Sequence, residues 1–347
     1  MKVLYITPIH QSFFIKSASS KLNYNKVASG LEDMCSGQVK IIVMHFREYI
    51  ENINDVPQNS YLFYTVTRNS AYRSYLLDAI LYLKDVRPDV NLIPSLDMFL
   101  SYGNKGYQEL LRKKLKLGNL SGHYFGDITD LQDKHLVFPS VIKLPYGSGS
   151  RQVGLVNNLA EIRKFVDLHK GSVTSVKQLR FYLSRFVKSL YKGESDLENY
   201  NNHYYLNRTP FILQEYIPGL QHDFKVLVFG ERYFVLKRYV RDNDFRASGS
   251  GKFHFETPDE ALLNYAKEVF EKLDVPFISL DIAQDDKKCY LIELQGIGFG
   301  MPTLTRSNGY YTYDSHANRW VFVEGKSEVE ANYSQALFNY IGVDENI

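Results

Sequence analysis

Between Phe277 and Gly300 the chain reads FISLDIAQDDKKCYLIELQGIGFG. Two apolar runs flank a polar turn at Asp285-Asp286-Lys287-Lys288, the pattern of a β-hairpin. Leu280 and Ile282 alternate with Asp281, and Ile292 and Leu294 alternate with Glu293 and Gln295. Side chains alternate faces along a strand, so Asp281, Glu293 and Gln295 can share one polar face. A hairpin centred near Lys287 brings Asp281 opposite Glu293, and a slip of one residue would undo this. Two carboxylates on neighbouring strands repel each other unless a positive charge lies between them. A hard divalent cation with oxygen ligands suits such a pair, and Mg2+ commonly shares carboxylates with phosphate oxygens. Ordinary acids on a solvated strand face give the same pattern, so the rest of the chain decides.

The 347 residues suffice for two or three structural units with a sizeable core, and 44% hydrophobic with 23% charged residues is an ordinary globular composition. A net charge of +2 gives no argument for nucleic acid or an anionic membrane. Cys35 and Cys289 form no metal or redox motif, and so few cysteines fit a reducing, cytoplasmic setting. The opening MKVLYITPIH reads as a first strand rather than a signal peptide, and no stretch reaches the length of a membrane span.

In chain order, strands are expected at Lys2–Thr7, Val39–Met44, Tyr61–Val66 and Asn91–Ile93, with a helical stripe over Ser70–Lys84. This alternation predicts a small open parallel sheet. No G-x-G-x-x-G follows the first strand, so the dinucleotide fingerprint is absent. Asn104 is placed to cap a helix from Lys105 to about Leu115. A strand ending at Lys143 enters Tyr146-Gly147-Ser148-Gly149-Ser150, and a second strand runs Gln152–Val156. Glycines let backbone N–H groups approach an anion, although this is not the Walker spacing. Asn158 opens a further helix, and Val176–Leu190 reads as a basic helix. Strand Phe211–Ile217 (FILQEYI) precedes a hairpin of Asp223–Phe229 and Tyr233–Val240 turning at Gly230-Glu231. A Gly-rich loop then carries Arg241, Arg246 and Lys252. Thr257-Pro258-Asp259-Glu260 reads as a helix start with Thr257 as cap and Pro258 at N1. A terminal helix is expected over Ser327–Leu337.

The ordered set V-I-K with a Gly/Ser loop, Q-E-Y-I-P-G, D-F-R-A-S and D…E-x-Q resembles the ATP-grasp superfamily over about Ser95–Thr305. D-F-R-A-S is similar to the ribosomal-protein glutamate ligases, and the middle hairpin to inositol phosphate kinases. The resemblance implies α/β plus α+β architecture: a pre-ATP-grasp domain at 1–95, a small lobe at 96–210 with the phosphate loop and a variable insertion, and a C-terminal lobe at 211–347 with the metal site. It implies ATP and Mg2+, or Mn2+, as cofactors. Lys105 and Lys143 would bind phosphates, and Gly147, Ser148, Gly149 and Ser150 would close over them. Gln214, Glu215 and Ile217 would form the adenine hinge, with Asp223 near the ribose. Lys225, Lys237 and Arg246 would face the phosphates or the acceptor, and Asp281, Glu293 and Gln295 would hold the metal. Gln295 departs from the family's usual Asn, and Gly-Ile-Gly-Phe-Gly-Met-Pro after it also differs. The activity implied is an ATP-dependent carboxylate–amine or carboxylate–thiol ligase using an acyl phosphate and releasing ADP and phosphate. Its substrates would be a small-molecule or peptide carboxylate and an amine, and a homodimer is compatible with the family. The alternatives are a small-molecule kinase of the same fold and a non-catalytic ATP-binding regulator.

Overall fold

The computed structural model describes residues 1–15, 21–147, 152–169, 183, 186–187, 190, 208–242, 244–247, 249–285 and 288–342. Ser148, Gly149 and Ser150 lie outside the described residues, as does most of the expected basic helix at 176–190. The chain forms two compact units, one of residues 1–119 with 219–347, the other of residues 120–218.

In the first unit, β1 (Lys2–Thr7), β2 (Val39–Val43), β3 (Tyr61–Tyr64) and β4 (Asn91–Ile93) make a parallel sheet of order β2-β1-β3-β4. β1 is buried from Val3 to Thr7, as expected of a parallel strand covered on both faces. A seven-stranded antiparallel sheet follows, and along its main path the order is β13-β12-β9-β10-β14-β15. Its strands are β9 (His222–Phe229), β10 (Arg232–Tyr239), β12 (Phe277–Gln284), β13 (Cys289–Gln295), β14 (Gly309–Asp314) and β15 (Arg319–Glu324), with the short β11 (Phe253–His254) pairing to β10. The two sheets share cores. Phe63 of β3 meets Phe277 of β12 edge-on at 6.0 Å and stacks on Tyr333 at 6.1 Å. Tyr333 belongs to the helix Val329–Ile341, which packs against the helix Tyr24–Cys35.

The β12–β13 hairpin does place Asp281 opposite Glu293, and Ser279 opposite Gln295. Nearer the turn its register differs from the symmetric expectation: Ile282 pairs with Leu291, Ala283 with Tyr290 and Gln284 with Cys289. Ile292 is therefore an extra residue, a β-bulge opposite the Asp281/Ile282 step. Beyond the strand, Gly298 has φ +70°, and a Cβ there would run into the Tyr102 ring, which accounts for glycine at this position.

The helix Lys105–Leu115 begins as the sequence predicts, with the Asn104 side chain accepting from Tyr107 N at 3.1 Å. The helix Glu260–Leu273 corrects one expectation. Its cap is Asp259, which accepts from Leu262 N at 2.8 Å, so Thr257 and Pro258 precede the helix. The segment Tyr310–Trp320, to which the sequence assigned nothing, supplies most of the β14–β15 hairpin.

The second unit holds an antiparallel sheet of β5 (Gly122–Phe125), β8 (Phe211–Glu215), β6 (Ser140–Lys143) and β7 (Val153–Val156), in that order. Helix Leu159–His169 covers it through Ile162 and Val166, which join Phe125, Ile142, Val156, Phe211 and Leu213 in one core. As expected, Asn158 caps this helix, accepting from Glu161 N at 2.9 Å.

Candidate active site

In the second unit, β6 and β8 set Val141 opposite Gln214, and Lys143 opposite Ile212. Lys143 is buried, and its Nζ donates to Gln214 Oε1 at 2.5 Å across the two strands. Gln214 thus fixes the direction of the ammonium group. Glu215 is exposed; its N–H donates to Ser121 O at 2.9 Å, and its carboxylate accepts from Ser121 N at 3.3 Å. Any hinge contact from Glu215 would therefore fall to its carbonyl. Ile217 is buried just beyond the strand. Gly147 has φ +149°, and a Cβ there would collide with Gln152.

In the first unit, three adjacent strands build a buried chain of alternating charge. Register sets Asp223 of β9 opposite Arg238 of β10, and Lys225 of β9 opposite Asp281 of β12. Arg238 grips Asp223 with two bonds of 2.6 and 2.8 Å. The same guanidinium reaches Asp281 Oδ2 at 2.9 Å, and Lys225 Nζ reaches Asp281 Oδ1 at 2.9 Å. Two carboxylates and two cations make the group neutral, which is how charges are tolerated in an interior. Burial alone would raise the Asp281 carboxyl, but Arg238 and then Lys225 outweigh it and hold it well below the usual carboxylate range. Asp223 is pushed up, first by burial, against which Arg238 works, and further by the Asp281 charge.

The sequence points to Lys237, whereas the structure puts its neighbour Arg238 in the cluster. Adjacent residues on a strand face opposite ways, so Lys237 does not join the cluster. It pairs with Glu256 at 2.8 Å and lies over the Tyr239 ring at 5.2 Å. Arg246 is gripped by Asp244, Nη2 to Oδ2 at 2.6 Å, so in this conformation its guanidinium is held by its own loop. Lys105 is half-buried in the first turn of its helix. Burial, reinforced by Asp259 and Asp285, pushes the Cys289 thiol up to about 12, which suits no nucleophile.

Glu293 and Gln295 share the face of Asp281, and Gln295 Nε2 donates to Glu293 Oε1 at 2.9 Å. Among the described residues no three His, Cys, Asp or Glu side chains gather as a metal cluster. A hard cation would draw on the oxygens of Glu293 and Gln295, with Asp281 opposite, and complete its shell from phosphate and water. The donor chemistry fits. Both Asp281 oxygens already accept from Lys225 and Arg238, so most of the charge such an ion meets comes from Glu293.

No family sequence model matches the chain, and no curated protein resembles it in sequence. Solved structures match it in fold. The ATP-grasp ligase PsnB, complexed with a minimal precursor, superposes with a TM-score of 0.50 at 12% identity, over 98% of this chain and 99% of that one. This chain has the ATP-grasp fold. The macrocyclase MdnC from Microcystis aeruginosa aligns at TM-score 0.49 and 12% identity, covering 98% and 100% of the two chains. D-alanine–D-alanine ligase from Bacillus anthracis aligns at 0.43 and 13%, covering 99% and 97%. No described helix is long and apolar enough to cross a membrane.

Proposed function

We propose that this chain is an ATP-dependent ligase that joins a carboxylate to an amine. The observation that carries the reading is Asp281, held between Lys225 and Arg238 and facing Glu293 across a strand pair. Fixed cations beside metal-competent oxygens suit a reaction whose charge sits on phosphoryl oxygens.

In this reading a substrate carboxylate oxygen attacks the γ-phosphorus of ATP. An O–P bond forms, the bond to the β–γ bridging oxygen breaks, and ADP leaves. The amine nitrogen then attacks the acyl carbon, a C–N bond forms, phosphate departs and the nitrogen loses a proton. A magnesium ion held by Glu293 and Gln295, with Asp281 opposite, would neutralise phosphate charge. Lys143, directed by Gln214, binds phosphate; Lys105 and the loop from Gly147 to Ser150 assist. Gln214, Glu215 and Ile217 contact the adenine, and Asp223 serves the ribose edge through Arg238. Lys225 and Arg246 stabilise the transferred group, Arg246 after exchanging Asp244 for substrate. Lys237, on the other face of the sheet, is assigned to its pairing with Glu256 rather than to the reaction. No step needs a covalent protein nucleophile.

The carboxylate is that of a small molecule or of a peptide; the structural neighbour PsnB is a ligase complexed with its precursor. The test is product analysis with panels of acids and amines in the presence of Mg2+-ATP. ADP, phosphate and an amide in equal amounts support the reading. ADP with a phosphoester would make the chain a kinase, and unchanged ATP with every acceptor would remove the catalytic reading.

A further inference from the structure

β13 lies at the edge of the antiparallel sheet, and its outer backbone is bonded by side chains. Asn119 Nδ2 donates to Cys289 O at 3.1 Å, and Leu291 N donates to Tyr265 Oη at 3.1 Å. Leu294 N points to Gln108 Oε1 at 3.5 Å. Between them sits Arg112, 4% exposed, donating to the carbonyls of both Leu291 and Ile292, the latter at 2.5 Å. Its Nε faces Glu109, also buried, at 3.7 Å.

One guanidinium on two successive carbonyls is not possible along a regular strand, where consecutive carbonyls point in opposite directions. It is possible here because Ile292 is the bulged residue. The bulge decides where Glu293 goes. If the pairing of Ile282 with Leu291 continued without it, Asp281 would face Ile292 and Leu280 would face Glu293. Leu280 is fully buried, so the carboxylate would then enter the apolar core. Apolar patterning favours some bulge in this strand, yet a bulge can settle one or two residues either way.

We propose that Arg112 is a positioning residue that locks the bulge at Ile292 and so sets Glu293 on the face of Asp281. The inference rests on the metal-binding role proposed above for Glu293. Arg112 touches neither nucleotide nor metal in this scheme and acts only through the backbone of β13. Bulges that re-aim a side chain beside a reaction centre are a recognised device, and a bidentate planar donor suits two converging carbonyls better than a lysine point charge does.

The test compares full-length wild type, Arg112→Met, Arg112→Lys and Glu293→Gln. Mn2+ binding is followed by electron paramagnetic resonance with a non-hydrolysable ATP analogue present, and amide exchange is followed over residues 291–295. Arg112→Met should lose about tenfold or more in Mn2+ affinity, a contact to a buried charged group being at stake. Its metal-free affinity for the analogue should stay within about twofold, a change too small to reflect a lost charged contact. The Glu293 and Gln295 amides should exchange faster, and Arg112→Lys should fall between. A folded Arg112→Met protein with wild-type Mn2+ affinity and exchange overturns the proposal. If that variant does not fold, Arg112→Lys decides by the same two readouts. If Glu293→Gln leaves Mn2+ affinity unchanged, it is the metal reading of Glu293 that fails, and the exchange measurement alone then decides whether Arg112 locks the bulge.

Discussion

The antiparallel sheet ends in a hairpin at each side, and the two are built differently. β14–β15 is regular: six residue pairs run from Gly309–Glu324 to Asp314–Arg319 without a shift. Its aromatic side chains pack, Tyr311 on Phe322 at 5.0 Å and Tyr313 on Trp320 at 5.4 Å, and Trp320 Nε1 donates to Asn264 at 2.8 Å. β12–β13 carries a bulge, and side chains from Gln108, Arg112, Asn119 and Tyr265 hold its backbone. A hairpin that only packs is held well enough by cross-strand pairs. One that must present a carboxylate on a stated face needs its register fixed from outside the strand pair.

The contrast is sharpest at Glu293. Glu293→Ala should lower turnover by about a hundredfold or more at any practical Mg2+ concentration, the scale of losing one electrostatic contact to a developing charge. A Mg2+ titration of activity checks it. Wild-type rate and metal dependence in the variant would reduce β12–β13 to the status of β14–β15.

Asp281→Asn tests the same hairpin through stability. It leaves Lys225 and Arg238 facing Asp223 alone, and removing one partner of a buried ion pair costs about 3 kcal/mol. Asp281 has a lowered folded pKa, so its contribution is present above about pH 4 and is lost as pH falls through the folded value. Asp223, raised in the fold, works in the opposite sense. Urea melts from pH 3 to 7 should show the wild type losing stability in acid and Asp281→Asn losing less.

On the other hairpin, Trp320→Phe removes the bond to Asn264 and should cost about 1 kcal/mol by thermal melt, with turnover unchanged. The smallest effect belongs to Gln295→Asn. The amide oxygen is kept on a shorter arm with less rotamer entropy to lose, so activity should stay within about threefold and only the Mg2+ optimum should move. A tenfold loss would mean that the Gln295–Glu293 bond matters more than the donor oxygen.

Much of this was legible in the chain. Alternation and a polar turn put Asp281 across from Glu293, and the first four strands were readable as a parallel sheet. The bulge was not legible, because a hairpin centred on Lys287 and one bulged at Ile292 pair the two acids identically and differ only nearer the turn. Arg238 was within reach: a turn at Gly230-Glu231 sets Phe229 opposite Arg232, and counting outward sets Asp223 opposite Arg238. Lys237, one residue short of it, falls opposite Phe224 instead. Thr257 lost the cap to Asp259 because both residues fit the local pattern, and only the hydrogen bond to Leu262 N separates them. The contacts of Arg112 lie about 180 positions away in sequence, beyond any local signal.

The shared core of the two sheets bears on how the chain is made. Leu4, Ile6 and Phe63 are covered by Phe277, Tyr333 and Leu337, residues translated long after them. At ribosomal speeds of about 5–20 residues per second, the parallel sheet would wait on the order of tens of seconds with one apolar face uncovered before residues 329–341 emerge. Synthesis of this chain should therefore lean on holding factors that mask the nascent sheet, and a chain truncated before residue 329 should precipitate rather than yield a free N-terminal domain.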